Sequence, residues 1–228
     1  MDIGGIVHTV AVIALPLLFA ITLHEAAHGW VASKFGDKTA LMLGRVTLNP
    51  AKHIDPFGTI ILPIMMLVLS NFSFAFGWAK PVPVNWQNLR KPRRDMALVA
   101  LAGPAANLLM ALLWGLVAKL SYTFGSGAVP NTIGASVATF FWYAGLFGIN
   151  INLILMVLNL IPVPPLDGSR VVSSLLPPHI ARKYELIEPY GIWILLGLIV
   201  FGFLSKILLP PVRYLMGVIL SIVGLPLG

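Results

Sequence analysis

The chain has no cysteine in its 228 residues. That excludes disulfides, thiolate ligands, iron–sulfur clusters and a cysteine nucleophile, so any metal has to be held by nitrogen and oxygen. Charge is the second shortage. Asp, Glu, Lys and Arg make up 10% of the residues while 58% are hydrophobic, against about 25% charged in an average soluble domain. A chain so poor in charge is expected to be an integral membrane protein. It also lacks an internal repeat, a low-complexity tract or a polar stretch long enough for a soluble domain, so residues 1–228 are expected to form a single membrane-embedded domain with short connections.

What is present is a series of apolar runs. Crossing a roughly 30 Å hydrocarbon core takes about 20 residues. Uncharged stretches of that length are Ile3 to Leu23, Phe57 to Phe76, Met96 to Ala118, Ile133 to Ile161, and Tyr190 to Leu209 with Lys206 near its end. Tyr214 to Gly228 is a sixth, short enough to lie partly in the interface. The fold class expected is therefore an all-α polytopic membrane protein with five to six transmembrane segments, in contact with a lipid bilayer. The first run follows no basic residue and its apolar stretch is too long for a cleavable signal peptide, so it is expected to remain in the mature protein.

The net charge of +7 does not point to nucleic acid, because the basic residues flank apolar runs and form no aromatic-interleaved groove. Twelve of the 15 Lys and Arg fall in three clusters: Lys34, Lys38, Arg45, Lys52; Lys80, Arg90, Lys91, Arg93, Arg94; and Arg170, Arg182, Lys183. The positive-inside rule puts all three on the cytoplasmic side. Lys119, Lys206 and Arg213 then sit at opposite ends of their spans, where long side chains snorkel out of the lipid. If the first two clusters share a side, residues 57–76 cannot cross once. They are expected to be re-entrant or a hairpin, bent at Gly58, Pro63, Ser70-Asn71 and Gly77. Irregular backbone at that depth needs cover from protein or a water-filled cavity. A plain spanning helix with an atypical charge distribution is the alternative.

His24, Glu25 and His28 form an H-E-x-x-H motif in a segment, Ile3 to Ala32, whose only other ionisable side chain is His8. Residues four apart share a helix face, so both imidazoles can address one ion with Glu25 beside it as a base. Short motifs arise by chance, but a carboxylate inside a membrane costs a few kcal/mol and marks a functional candidate. A catalytic zinc takes three protein ligands and keeps a fourth position open. Between Lys119 and Arg170 the one acid or base is Asp167, in Asn159-Leu-Ile-Pro-Val-Pro-Pro-Leu-Asp167-Gly168. Pro162, Pro164 and Pro165 break the helix ahead of it. Counting spans returns Asp167 to the side of the histidines. The competing reading is a turn carboxylate, since Asp-Gly is a common turn pair.

His-Glu-Ala-Ala-His on the first span and the Asn159 to Gly168 tract near the end of a later one resemble the two signature motifs of the site-2 protease family of intramembrane zinc metalloproteases. Gly103-Pro104-Ala-Ala-Asn107 between them resembles a recurring element of the same family. The resemblance frames residues 24 to 168. It implies one Zn2+ ion held by His24, His28 and Asp167, Glu25 as general base and acid, and Asn159 steadying the oxyanion. It implies an endopeptidase that cuts within or near the transmembrane segments of single-span or other membrane proteins, in a multi-pass protein of a prokaryotic cytoplasmic membrane with its site towards the cytoplasm. No room exists for an inserted PDZ domain, the type being the compact one. A catalytically silent scaffold or chaperone that binds membrane helices is the rival reading. A metal transporter would be expected to show several acids or histidines along a path.

A substrate helix hides its carbonyls in its own hydrogen bonds and has to unwind locally. Gly77 to Asn85, with Pro81 and Pro83, is expected to be extended, as an edge strand. Strand addition would then make Gly77, Ala79, Pro81 and Val82 substrate-binding; a surface loop anchored by Trp78 and Trp86 is the equal alternative. His53, Asp55 and Gly44-Arg45 are expected in a structured loop, and Asn107, Asn150 and Asn152 in hydrogen bonds between helices.

Overall fold

The computed structural model describes residues 3–69, 77, 79–127, 129 and 132–226. It is all-helical, with no strand among the described residues. Among the described residues, four helices are long and apolar enough to cross a membrane: α1 (Ile3–Phe35), α4 (Pro92–Gly125), α5 (Ile133–Asn159) and α9 (Phe203–Ile222). Shorter helices are α2 (Thr39–Met42), α3 (Leu62–Leu69), α6 (Asp167–Leu175), α7 (Pro178–Glu185) and α8 (Gly191–Val200).

Helices α4 and α5 lie closest together, and small residues make that possible. A Cβ on Gly145 would stand 2.7 Å from the Ala118 Cβ, and one on Gly148 would stand 2.3 Å from the Trp114 ring. Removing side-chain bulk lets backbones approach where lipid supplies no hydrophobic drive between helices. Helix α1 packs on both, and Val12, Ala111, Trp114, Ala144, Ile149, Leu153 and Met156 fill the space between, closed by Val212 and Ile219 of α9.

Beyond Gly36 (φ 118) the chain turns back through Asp37, which is fully buried. Its carboxylate accepts the Asn85 N–H at 2.7 Å and the Asn88 side-chain amide at 3.1 Å, as well as the Thr39 N–H at 3.1 Å. Burial pushes the pKa of such a group up, yet the donors from Thr39, Asn88 and Asn85 outweigh it and hold the carboxyl's pKa below its ordinary value.

Two expected spans are drawn differently. Tyr190 to Leu209 is broken at Gly202, whose φ of 71 ends α8 and starts α9, so the crossing helix begins at Phe203 and takes in Lys206 and Arg213. The Phe57 run begins as a π-helical turn, Pro56–Ile61, capped by the Asp55 carboxylate, and continues as α3. How it returns falls at 70–76, outside the described residues.

Candidate functional site

Three ligand atoms converge. His24 Nε2 and His28 Nε2 are 3.1 Å apart, and Asp167 Oδ2 lies 3.3 Å from the first and 3.4 Å from the second. Ligands about 2.0–2.1 Å from one tetrahedral ion stand about 3.4 Å from each other. The side chains come from the C-terminal part of α1 and the first residue of α6. Helix α1 supplies its pair by the four-residue repeat, and the proline tract ends α5 so that α6 can start afresh at Asp167. The turn before it is tight: a Cβ at Gly168 would fall 2.3 Å from the Leu160 carbonyl oxygen. The tract is buttressed from behind, where Tyr184 donates to the Pro162 carbonyl at 2.7 Å and Gly191 admits the Pro164 carbonyl.

Hydrogen bonds set the tautomers of both rings. His28 Nδ1 lies 2.7 Å from the Val99 carbonyl oxygen, an acceptor only, so Nδ1 carries the proton. His24 Nδ1 lies 2.7 Å from Asn107 Oδ1. Asn107 is oriented in turn by its amide, which donates to the Ala20 carbonyl at 3.2 Å and to Asn152 Oδ1 at 3.0 Å, while Asn152 donates to the Gly148 carbonyl at 2.8 Å. Both asparagines are fully buried. With the protons on Nδ1, two bare Nε2 lone pairs and a carboxylate oxygen face one another. Asp167 Oδ2 is buried with no hydrogen-bond donor. Three acceptors without a proton repel each other unless a cation sits among them, so the residues fit a metal ion. Room is kept for it as well: a Cβ on Gly103 would lie 2.4 Å from His28 Nε2 and 2.6 Å from His24 Nε2.

Glu25 stands beside this triad, half-buried, and its Oε2 accepts the Val82 N–H at 2.7 Å. Asn159 closes α5, and its amide donates to the Leu155 carbonyl of its own helix at 2.9 Å; no hydrogen bond joins it to the triad. Residues 79–85 are irregular rather than a strand, because their polar groups are taken by side chains and loops and not by a ladder. Gly77 and Pro81 are exposed, Ala79 is half-buried and Val82 is buried. Sequence reasoning put Asn107 and Asn152 between helices but did not see that they end on His24, nor that Gly103 borders the ligands; the spacing of Gly103 and Asn107, four apart on one face, was the available signal.

Comparison with known proteins agrees with this geometry. The pattern of Peptidase family M50 matches residues 12–141 and 127–200. The chain is 39% identical over 200 residues to "Putative zinc metalloprotease YwhC" of Bacillus subtilis (strain 168), covering 87% of this chain and 84% of that protein. It is 30% identical over 189 residues to "Putative zinc metalloprotease Rip2" of Mycolicibacterium smegmatis, covering 83% of this chain and 66% of that one. No solved structure gives a significant match. With the H-E-x-x-H pair and the distant aspartate meeting at one point inside an apolar bundle, and with the family pattern running along most of its length, the chain belongs to peptidase family M50, the site-2 proteases, and is a metalloprotease.

Proposed function

We propose that the protein is a zinc endopeptidase that hydrolyses peptide bonds within or near transmembrane segments of other membrane proteins. The observation that carries this reading is the meeting of His24 Nε2, His28 Nε2 and Asp167 Oδ2, with their protons turned away, inside a helix bundle. On that reading His24, His28 and Asp167 hold one Zn2+ ion, which when bound supplies Lewis acidity and an acidified water at neutral pH. Asn107 and the Val99 carbonyl keep the two rings turned with their lone pairs inward. Glu25 takes a proton from the attacking water and delivers it to the leaving amide nitrogen, as general base and then general acid. His24 and His28 are buried between the helices, where charge interactions are stronger than in water.

The depth of the site supports a membrane-embedded substrate. His28 and His24 lie seven and eleven residues before the end of α1, about 10 and 17 Å along its axis. Asn159 serves the oxyanion on this reading only after its side chain leaves the Leu155 carbonyl. For Gly77, Ala79, Pro81 and Val82 the substrate-binding role is kept as a proposal for the exposed edge of the tract, since the Val82 N–H is already engaged.

The test is cleavage of a panel of single-span membrane substrates by purified protein in detergent, with bound zinc measured. Wild type should cleave and bind about one ion; Glu25→Gln should bind zinc and lose cleavage by several orders of magnitude; His24→Ala should lose the ion. Cleavage surviving in Glu25→Gln, or stoichiometric zinc in His24→Ala, would overturn the assignment.

A further inference from the structure

Glu25 is held by a segment that belongs to none of the long helices. Residues 79–84 cross the motif face of α1 as irregular chain, and with prolines at 81 and 83 the Val82 N–H is the only backbone donor from 81 to 83. That donor goes to Glu25 Oε2. The segment is itself fixed by other groups. Arg45 Nη2 donates to the Lys80 carbonyl at 2.9 Å and reaches the Pro81 carbonyl at 3.4 Å. The Lys80 N–H donates to the His53 carbonyl at 2.9 Å, and the buried His53 ring contacts the Thr47 carbonyl at 3.1 Å. The Val82 side chain is buried against Gly29, where a Cβ would stand 3.0 Å from Val82 Cγ1 and 2.9 Å from Val46 Cγ2. The loop carrying Arg45 and the tract carrying Val82 therefore meet over the same turn of α1, next to the carboxylate.

We propose that Arg45 is a positioning residue for the proton-transfer step: through the Lys80 and Pro81 carbonyls it fixes the Val82 amide, and that amide fixes one oxygen of Glu25 while the other handles the proton. This rests on the reading of Glu25 as the base. Glutamate has three side-chain torsions, and an unrestrained base spends most of its time out of line with the atom it must serve. Restraint from a backbone amide leaves the second carboxylate oxygen free, so orientation and reactivity coexist. Arginine suits the anchor because its planar guanidinium holds one nitrogen, Nη2, within reach of both neighbouring carbonyls, where lysine offers a freely rotating point charge on a flexible stem.

Amide hydrogen exchange of the 79–84 tract and steady-state cleavage, measured on the full protein with zinc quantified, test this together. Arg45→Ala should speed exchange of the Val82 amide about tenfold, as should Glu25→Ala, whereas Glu25→Gln should keep the protection because its side-chain oxygen still accepts. In Arg45→Ala, kcat should fall on the order of 10- to 100-fold with KM and zinc content unchanged, and Arg45→Lys should recover part of the loss. Unchanged exchange or unchanged kcat in Arg45→Ala overturns the proposal, as does a loss of kcat that only tracks loss of zinc. If Arg45→Ala does not fold, Arg45→Lys is read alone, and wild-type exchange and kcat in it overturn the proposal. A wild-type protein that cleaves nothing sinks the protease reading instead, and the exchange arm still reports whether Arg45 holds the amide.

Discussion

Gly103 shows how little matter separates a loaded site from an empty one. Its missing side chain leaves free the space next to both Nε2 atoms, and a methyl there would occupy the volume of an ion. Gly103→Ala should therefore lose zinc and all cleavage while keeping its helix, since alanine is the better helix former. Metal analysis beside circular dichroism checks this, and a variant that still binds one ion per chain would mean that the ligands sit elsewhere. At this scale much was legible in advance. His24, Glu25 and His28 announce themselves because a helix turns sequence spacing into geometry directly. Asp167 could be found because so few acids compete with it. The partners of the rings could not be found, because Asn107, Asn152 and Val99 reach His24 and His28 only through interhelical packing that no local pattern encodes.

At the scale of elements, the apolar runs identified α1, α4 and α5 closely, since length and hydropathy are what a membrane selects. The reading of 190–209 as one helix failed at Gly202. There a left-handed residue breaks an apolar run that hydropathy cannot see as broken. The tract 79–85 failed as a strand for the opposite reason: alternation was present, but its hydrogen bonds go to Glu25, Arg45 and His53. The joint between α1 and this tract is Asp37, and its acidity gives a signed expectation. A carboxyl whose folded pKa is depressed stabilises the fold above its unfolded value of about 3.9 and loses that contribution as pH falls through the folded value. The stability gap between wild type and Asp37→Asn should thus be full at neutral pH and shrink progressively below about pH 4. Denaturation midpoints in detergent across that range measure it, and a gap that grows on acidification would contradict the depressed pKa.

For the whole molecule, the ligands, the Asp37 joint and the basic residues of the α1 to α4 connection gather at one end of the bundle, while Ser126 at the end of α4 lies at the other. By the positive-inside bias the ligand end is expected to face the cytoplasm. The lack of native cysteine makes the orientation directly measurable. In intact cells an impermeant maleimide should label Ser126→Cys from outside and Gln87→Cys only after permeabilisation; the reverse pattern would invert the topology.

The two elements that meet at the triad, α1 and α6, are separated by most of the chain, and the contact joins them through atoms that repel when nothing lies between. An ion bound there is a crosslink closing a very long loop, and it stabilises only the folded form. On the proposal that this ion is zinc, the bundle's resistance to heat would rise with free zinc concentration, so that starvation for the metal would not merely silence the enzyme but loosen it, coupling the protein's lifetime in the membrane to the supply of its own cofactor.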